Sequence, residues 1–422
     1  MTLRTLAAAC GAAFLAHAFI APAAFAADAP GHWVSAWGTA LQPIPQLQNP
    51  PPLYRAPDVA GRTVRQIVYP TLSGNGVRLR VSNQYGKAPL VIDDLRIARS
   101  AGGAATQSAG EARVTFGGKG EVSIPAGAEL ESDPVSIEIQ SGAPYAISSY
   151  MGREQRLVAW HRVANQLNYV STPGNHADDP TGKAFAARFT QYAWVTSLSV
   201  NAPGSEGIAA IGDSITDGMR SSLNQNRRWP DGLARELEHS GRKAGVVNLG
   251  ISGNRLLSDS ACYGDALDRR FEHDVMGQAG IKAVVLLIGI NDINFAAMPP
   301  HAGLDCDAPH TVVSAADLIA GYQRVIATAH RHGIRIVGAT VTPAALPESR
   351  EKLRTAVNQW IRTSHAFDGV VDFDAALRDP AAEDRLQRGY DSGDHIHPND
   401  AGYAVMARTV DSAVLLRAST SK

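Results

Sequence analysis

Cysteine is scarce, with three in 422 residues, at positions 10, 262 and 306. No Cys-x-x-Cys pair and no Cys/His cluster with zinc spacing occurs, so the usual structural zinc sites are excluded. An excess of either charge is also missing: 39 Lys plus Arg stand against 40 Asp plus Glu. Bulk charge therefore gives the chain no pull toward nucleic acid or anionic lipid. Beyond residue 26 no apolar run is long enough to cross a bilayer, and no internal repeat is visible. What is present is a globular composition, 45% hydrophobic and 19% charged. The length exceeds what one compact core usually absorbs, so two domains are expected.

Residues 1–26 stand apart. Arg4 is followed by an Ala-rich apolar run that ends in Ala24-Phe25-Ala26, with small residues at the positions a signal peptidase reads. A cleaved leader with the cut after Ala26 is expected, and hence a secreted or periplasmic protein. His17 and Pro22 interrupt the run, which argues against a membrane anchor. Only four apolar residues directly precede Cys10, which argues against a lipoprotein. Cleavage leaves Cys262 and Cys306, both in loop-like sequence. Two cysteines in an exported chain favour one disulfide over two separate thiols.

From Trp33 to about Val200 the commonest periodicity is two. Val77-Arg-Leu-Arg-Val81 and Pro134-Val-Ser-Ile-Glu-Ile139 alternate, and Arg65-Gln-Ile-Val-Tyr69 is a looser strand-like run. Turn signals such as Ser73-Gly-Asn-Gly76 and Gly117-Gly-Lys-Gly120 separate them. Short strands so spaced predict an antiparallel β-sandwich over residues 31–200. Residues 43–57 hold six prolines and read as a surface arm. After residue 205 the pattern changes to apolar β runs alternating with amphipathic helices. Strands are expected at 207–211, 244–249, 283–288, 334–339 and 369–373. Helices are expected at about 228–239, 315–331 and 349–364, with a last one after Asn399. The 315–331 helix places Leu318, Ile319, Tyr322, Ile326 and Ala329 on one side and stops at Gly333. Such a series predicts an α/β domain over 206–418 built on a doubly wound parallel sheet.

Ligands of such sheets bind beyond the carboxyl ends of the strands. Those ends run into Gly212-Asp213-Ser214-Ile215-Thr216-Asp217, then Asn248-Leu-Gly250-Ile-Ser252-Gly253-Asn254, then Gly289-Ile-Asn291-Asp292. Near the C-terminus comes Asp391-Ser-Gly-Asp394-His395-Ile-His397-Pro398. A serine hydroxyl is a poor nucleophile until a base takes its proton, and His397 is the candidate base for Ser214. Asp394, three residues earlier, is spaced to fold back onto the other ring nitrogen. The N–H groups of Ser214 and Gly253 and the Asn291 amide are candidate donors to a developing oxyanion.

These four blocks resemble the SGNH (GDSL-type) serine hydrolases. The resemblance implies Ser214 as nucleophile, Gly253 and Asn291 as oxyanion donors with Ser214, and Asp394 and His397 as acid and base. It also implies a flavodoxin-like sheet, ester hydrolysis through an acyl-enzyme, and no cofactor or metal. The first block departs from the family pattern in carrying Ile215 where leucine is usual, away from the reacting atoms. All four fall in order within residues 206–415. With the β-domain in front, the chain resembles the secreted bacterial arylesterase/acylhydrolase-like members, on the diffuse anchors Trp33 to Thr39, Arg65 to Val68 and Val81 to Asn83.

Each block also has a plainer reading. Gly-Asp-Ser alone is usually a turn or helix cap. Asn291 can cap the turn after its strand, and Asn399 or Asp400 can cap the last helix. His395 is a rival base with poor spacing to Asp394, and Asp391, Asp394, His395 and His397 are an alternative metal cluster. Trp33, Trp37, Tyr54 and Tyr85 either bind carbohydrate or, the preferred reading, pack internally. The expected substrate is a small ester or an acylated carbohydrate. Alternatives are a carbohydrate O-acetylesterase acting on plant cell-wall polysaccharide, and a carbohydrate-binding protein with an inactive hydrolase domain.

Overall fold

The computed structural model describes residues 31–152, 155–300 and 302–416. The expected leader over residues 1–26 lies outside them. Among the described residues no helix is long and apolar enough to cross a membrane.

The N-terminal half folds into two antiparallel sheets. One joins Trp33–Gly38, Val195–Asn201, Gly74–Ser82 and Glu129–Glu131, with Val135–Ile139 also paired to Gly74–Ser82. The other is built around Arg62–Val68, Tyr145–Met151 and Asp94–Gly102. The period-two pattern has its physical cause here: Val77, Leu79 and Val81 are fully buried, while Arg78 and Arg80 turn outward. Apolar residues of both sheets share one core, Val64, Leu95 and Ile147 from one and Leu79, Leu198 and Val200 from the other. Trp37 and Tyr54 are buried in it. Trp33 lies under the Arg78 guanidinium, 4.7 Å from it.

The second half carries a parallel sheet with five strands in the spatial order Ala244–Gly250, Glu206–Gly212, Ile281–Leu287, Arg335–Ala339 and Gly369–Val371. In chain order this is 2-1-3-4-5. Residues 283–287 are at most 1% exposed, as a strand covered on both faces requires. The helix Ala315–Arg331 opens on a Ser314/Asp317 capping box and is followed by Gly333 at φ 66°. Its buried face includes Val325, whereas Ile319 is only half-buried. The strand expected to reach Phe373 stops at Val371, because the Asp372 side chain accepts from Ala375 N–H and starts a short helix, Phe373–Leu377. A helix not foreseen, Leu267–Met276, follows the second strand.

Contacts join the halves directly. Ala244–Gly250 is an edge strand whose open side is covered by N-terminal residues. The Thr71 hydroxyl accepts from Val246 N–H at 2.8 Å and donates to Val246 C=O at 2.9 Å. A Cβ on Gly245 would lie 2.2 Å from the Ser35 carbonyl, so only glycine allows this approach. On the helix Leu267–Met276, His273 reaches Glu129 of the N-terminal sheet at 3.3 Å and Asp274 at 2.9 Å, and Arg80 meets Glu129 at 2.6 Å.

This cluster has a titration signature. Hydrogen bonds to Asp274 and Glu129 raise the His273 imidazolium to about 10, overcoming the opposing effect of burial. The folded state therefore holds a proton that the unfolded chain releases near 6.5. The stabilisation is complete below about 6.5 and disappears as pH rises toward about 10. Melting temperatures measured from pH 6 to 10 are expected to fall, and to fall less in His273→Gln. Equal declines in the two proteins would remove His273 as the cause.

Candidate active site

The first parallel strand ends at Gly212, and the chain turns at once into the short helix Ser214–Asp217. Asp213 caps it by accepting from Ile215 N–H at 3.0 Å, which puts Ser214 at the first helical position. Ser214 is 4% exposed. At the other end of the domain, residues 391–398 form a loop closed by a bridge between Asp391 and Pro398, and Asn399 caps the last helix, Asp400–Thr409. Asp394 folds back within that loop and accepts from the backbone N–H groups of Ile396 and His397 at 3.1 and 2.8 Å.

The His397 ring lies between Asp394 and Ser214. Its Nδ1 is 2.8 Å from Asp394 Oδ2, and its Nε2 is 2.8 Å from Ser214 Oγ. With Nδ1–H donating to the carboxylate, Nε2 is left as acceptor of the serine proton. Burial alone would raise the Asp394 carboxyl. The His397 side chain, the two backbone N–H groups and the His397 charge outweigh it and hold that carboxyl well below the usual range. Arg220, in a left-handed conformation at φ 71°, donates to the same Asp394 oxygen at 3.0 Å.

His395 points elsewhere. Its Nδ1 is 2.6 Å from Asp391, its side chain is 71% exposed, and its backbone is left-handed at φ 65°. The four acid and imidazole groups thus form two separate pairs, Asp394 with His397 and Asp391 with His395.

The candidate oxyanion donors are held by a tight loop after the second strand. Gly253 has φ 85°, and a Cβ there would lie 2.4 Å from the Tyr263 ring, so the ring presses on the glycine backbone itself. The neighbouring Asn254 is fully buried; its amide donates to Tyr263 C=O and Asp265 C=O at 2.9 and 2.8 Å. Asn291 opens the short helix Ile290–Phe295 and donates to Asn254 C=O at 2.9 Å. An asparagine amide has two hydrogens, so one ties the loops together and one remains for a ligand. The N–H groups of Ser214 and Gly253 have no hydrogen-bond partner among the described residues.

The disulfide expected from the two remaining cysteines is present, Cys262–Cys306, with Cα atoms 5.2 Å apart. It joins the Tyr263 loop to the segment after Ile290–Phe295 and packs beside Tyr54, whose hydroxyl meets the Cys306 sulfur at 3.3 Å. Tyr85, also from the N-terminal half, donates to Asp265 at 3.2 Å.

Several residues that build this site were not foreseen. Arg270 is 3% exposed and bonds Gly212 C=O, Leu249 C=O and Asn254 Oδ1, each at 3.0 Å. Asp292 accepts from Leu256 and Leu257 N–H at 2.8 and 3.0 Å. Burial lifts its carboxyl to about 6 against those bonds, and lifts Asp213 to about 7. Asp217 accepts from Ser252, and His161 of the N-terminal half meets Asp217. The spacing of Leu267, Phe271 and Val275 would have revealed the Arg270 helix. A cavity of about 500 Å³, lined by Glu138, Ser141, Asn201, Glu238 and Arg242, lies at the amino ends of the parallel strands, away from these groups.

Residues 210–405 match the model of the GDSL-like Lipase/Acylhydrolase family. By class, then, this is a carboxylic ester hydrolase. That match lies within the α/β half and is in keeping with the SGNH resemblance. Similar solved structures include a lipolytic protein of the G-D-S-L family from Desulfitobacterium hafniense, at 19% identity, TM-score 0.36, covering 48% of this chain and 96% of that one. Another is a GDSL-like lipase from Bacteroides thetaiotaomicron, at 18%, 0.34, 50% and 87%. A third is a variant acetyl xylan esterase from Geobacillus stearothermophilus, at 22%, 0.36, 48% and 92%. No curated protein sequence matches the chain.

The geometry separates roles that composition cannot. Asn291→Ala is expected to lower kcat by roughly a hundredfold with little change in KM, because its free N–H meets full charge only in the transition state. His397→Ala should be far more damaging than His395→Ala. Steady-state kinetics on a chromogenic acetate ester reads both, and an inactive His395→Ala beside an active His397→Ala would reverse the assignment of the base.

Proposed function

We propose that the protein is an exported serine esterase that cleaves carboxylic esters through an acyl-enzyme at Ser214, with His397 as general base and acid and Asp394 as its orienting carboxylate. The reading rests on one continuous hydrogen-bonded line, Ser214 Oγ to His397 Nε2 and His397 Nδ1 to Asp394, at 2.8 Å for each step. Ser214 Oγ attacks the ester carbonyl carbon as its proton passes to Nε2. The carbonyl electrons move onto oxygen, where the N–H groups of Ser214 and Gly253 and the Asn291 amide receive the charge. Collapse expels the alcohol, which takes the proton from Nε2 and leaves the acyl group on Ser214. Water then attacks, gives its proton to Nε2, and the acid departs as Ser214 regains that proton.

Export is supported by the leader-like residues 1–26 and by a disulfide in a chain with only two cysteines after them. In this reading the chain divides into a β-sandwich domain over 31–200 and a flavodoxin-like, doubly wound catalytic domain over 206–418. The substrate is a small ester or an acylated carbohydrate. An intact Ser-His-Asp line argues against an inactive carbohydrate-binding protein.

Ser214→Ala is expected to lose several orders of magnitude in rate while keeping the wild-type melting temperature. A panel of aryl esters from acetate to long acyl, run beside acetylated xylan, separates a general esterase from a carbohydrate O-acetylesterase. Near-wild-type hydrolysis by folded Ser214→Ala would end the serine reading, and loss of wild-type activity in EDTA would point to a metal instead.

A further inference from the structure

We propose that His161, contributed by the N-terminal β half, is a positioning residue for ester hydrolysis, acting through Asp217 and Ser252 on the Gly253 N–H. The inference rests on the reading of the site given above and adds to it a group that the α/β half does not supply.

His161 is 3% exposed and follows the strand Ala159–Trp160. Its backbone is fixed on both sides by Tyr192, through N–H to C=O bonds of 2.9 and 3.0 Å, and its ring stacks on that tyrosine. Nδ1 faces Ala40 C=O at 3.2 Å; Nε2 faces Asp217 Oδ1 at 3.0 Å and Val163 C=O at 3.1 Å. Every one of these partners is an acceptor. A ring that donates from both nitrogens is an imidazolium, the natural partner of the Asp217 carboxylate.

Asp217 is 1% exposed and closes the helix that begins with Ser214. Its second oxygen accepts from Ser252 N–H at 3.0 Å and from the Ser252 hydroxyl at 2.5 Å. Ser252 directly precedes Gly253. A Cβ on Gly250 would lie 2.3 Å from Asp217 N, so the Asp217 backbone sits hard against the end of the second strand. One line of contacts therefore runs from the N-terminal half to the oxyanion donor, and Asp217 also lies three residues from the nucleophile.

A buried ion pair is a poor source of stability, because desolvating both charges offsets most of their attraction. What it supplies here is direction: one Asp217 oxygen, accepting twice, holds Ser252 while the imidazolium fixes the carboxylate. Without His161 the buried charge has lost its counter-ion and turns or takes up water. Either response moves Ser252, and displacements near 1 Å at a reacting centre cost about a hundredfold in rate. His161 touches no reacting atom, so its effect belongs to kcat.

The test uses the full chain with p-nitrophenyl acetate, comparing wild type, Ser214→Ala, His161→Gln, His161→Ala, Asp217→Asn and the His161→Gln/Asp217→Asn pair. The His161 and Asp217 variants are expected to lose about tenfold or more in kcat with KM within about twofold. An alkyl boronic acid, whose Ser214 adduct places an oxygen among the oxyanion donors, should lose affinity by a similar factor. The double variant should be no worse than the worse single one, since the two residues act in one line. Folded His161 variants with kcat within about twofold of wild type would overturn the proposal. If the variants do not fold, ¹⁵N NMR of the wild type decides: both His161 ring nitrogens protonated at neutral pH supports the pair, and a single protonated nitrogen overturns it. Inactive wild type, or Ser214→Ala as active as wild type, sinks the esterase reading and this inference with it. Silent His161 variants beside an inactive Ser214→Ala sink this inference alone.

Discussion

The Arg270 guanidinium holds the carboxyl ends of two parallel strands to the loop that carries Gly253. It meets Leu249 C=O, Gly212 C=O (which also accepts from Ile251 N–H at 3.1 Å) and Asn254 Oδ1, all with the support of Asp274 at 2.7 Å. Unpaired carbonyls at a buried strand end are costly, and one planar group with five N–H donors satisfies several at once. Ser214 starts two residues after Gly212, and Gly253 four after Leu249. The spacing of Ser214 and Gly253 is therefore constrained by a buried ion held within the core. Asn254 passes the constraint on: its carbonyl takes the Asn291 amide, so the third strand's loop is aligned to the same point.

The N-terminal half completes the scaffold around this point. It covers the exposed edge of the Ala244–Gly250 strand through Thr71 and Ser35, which removes a surface open to edge-to-edge pairing. It also supports the Gly253 loop from outside, with Tyr85 on Asp265, Tyr54 on Cys306 and Gln42 bonded to Cys262 C=O. The disulfide then ties that loop to the segment beyond Asn291. A short loop with a left-handed glycine is inherently free to move, and here it is clamped by groups from four separate parts of the chain.

Legibility in the sequence followed the range of the interaction. Period-two runs such as residues 77–81 and the apolar 283–287 stretch carry their own burial pattern, and both became strands. The Ala315–Arg331 helix was readable to its ends because Ser314, Asp317 and Gly333 mark them locally. The Asp394/His397 pairing was likewise local, three residues apart. Arg270, Asp217 and His161 were not readable in their roles, since each draws its meaning from partners 16 to 58 residues away. The helix Leu267–Met276 is obscured in the sequence for a different reason: its mean character is polar, and Arg270 and Asp274 occupy inward positions where apolar residues are expected. A buried ion pair reads in sequence as a solvated face.

The carboxylates around Ser214 divide into two electrostatic regimes. Asp394 is partly open to solvent and surrounded by donors, so it stays an anion through the whole working range and can stabilise an imidazolium on His397. Asp213 and Asp292 are fully buried and repel each other, and burial lifts them to about 7 and about 6. Both folded-state values lie above the unfolded carboxylate, so the folded chain binds more protons than the unfolded one across that window. Their contribution to stability is therefore largest below about 4 and is lost as pH rises through 6 to 7, opposite in sign to that of Asp394. At the start of the Ser214–Asp217 helix, burial thus opposes ionisation of the Asp213 cap, and the Ile215 N–H favours it only in part.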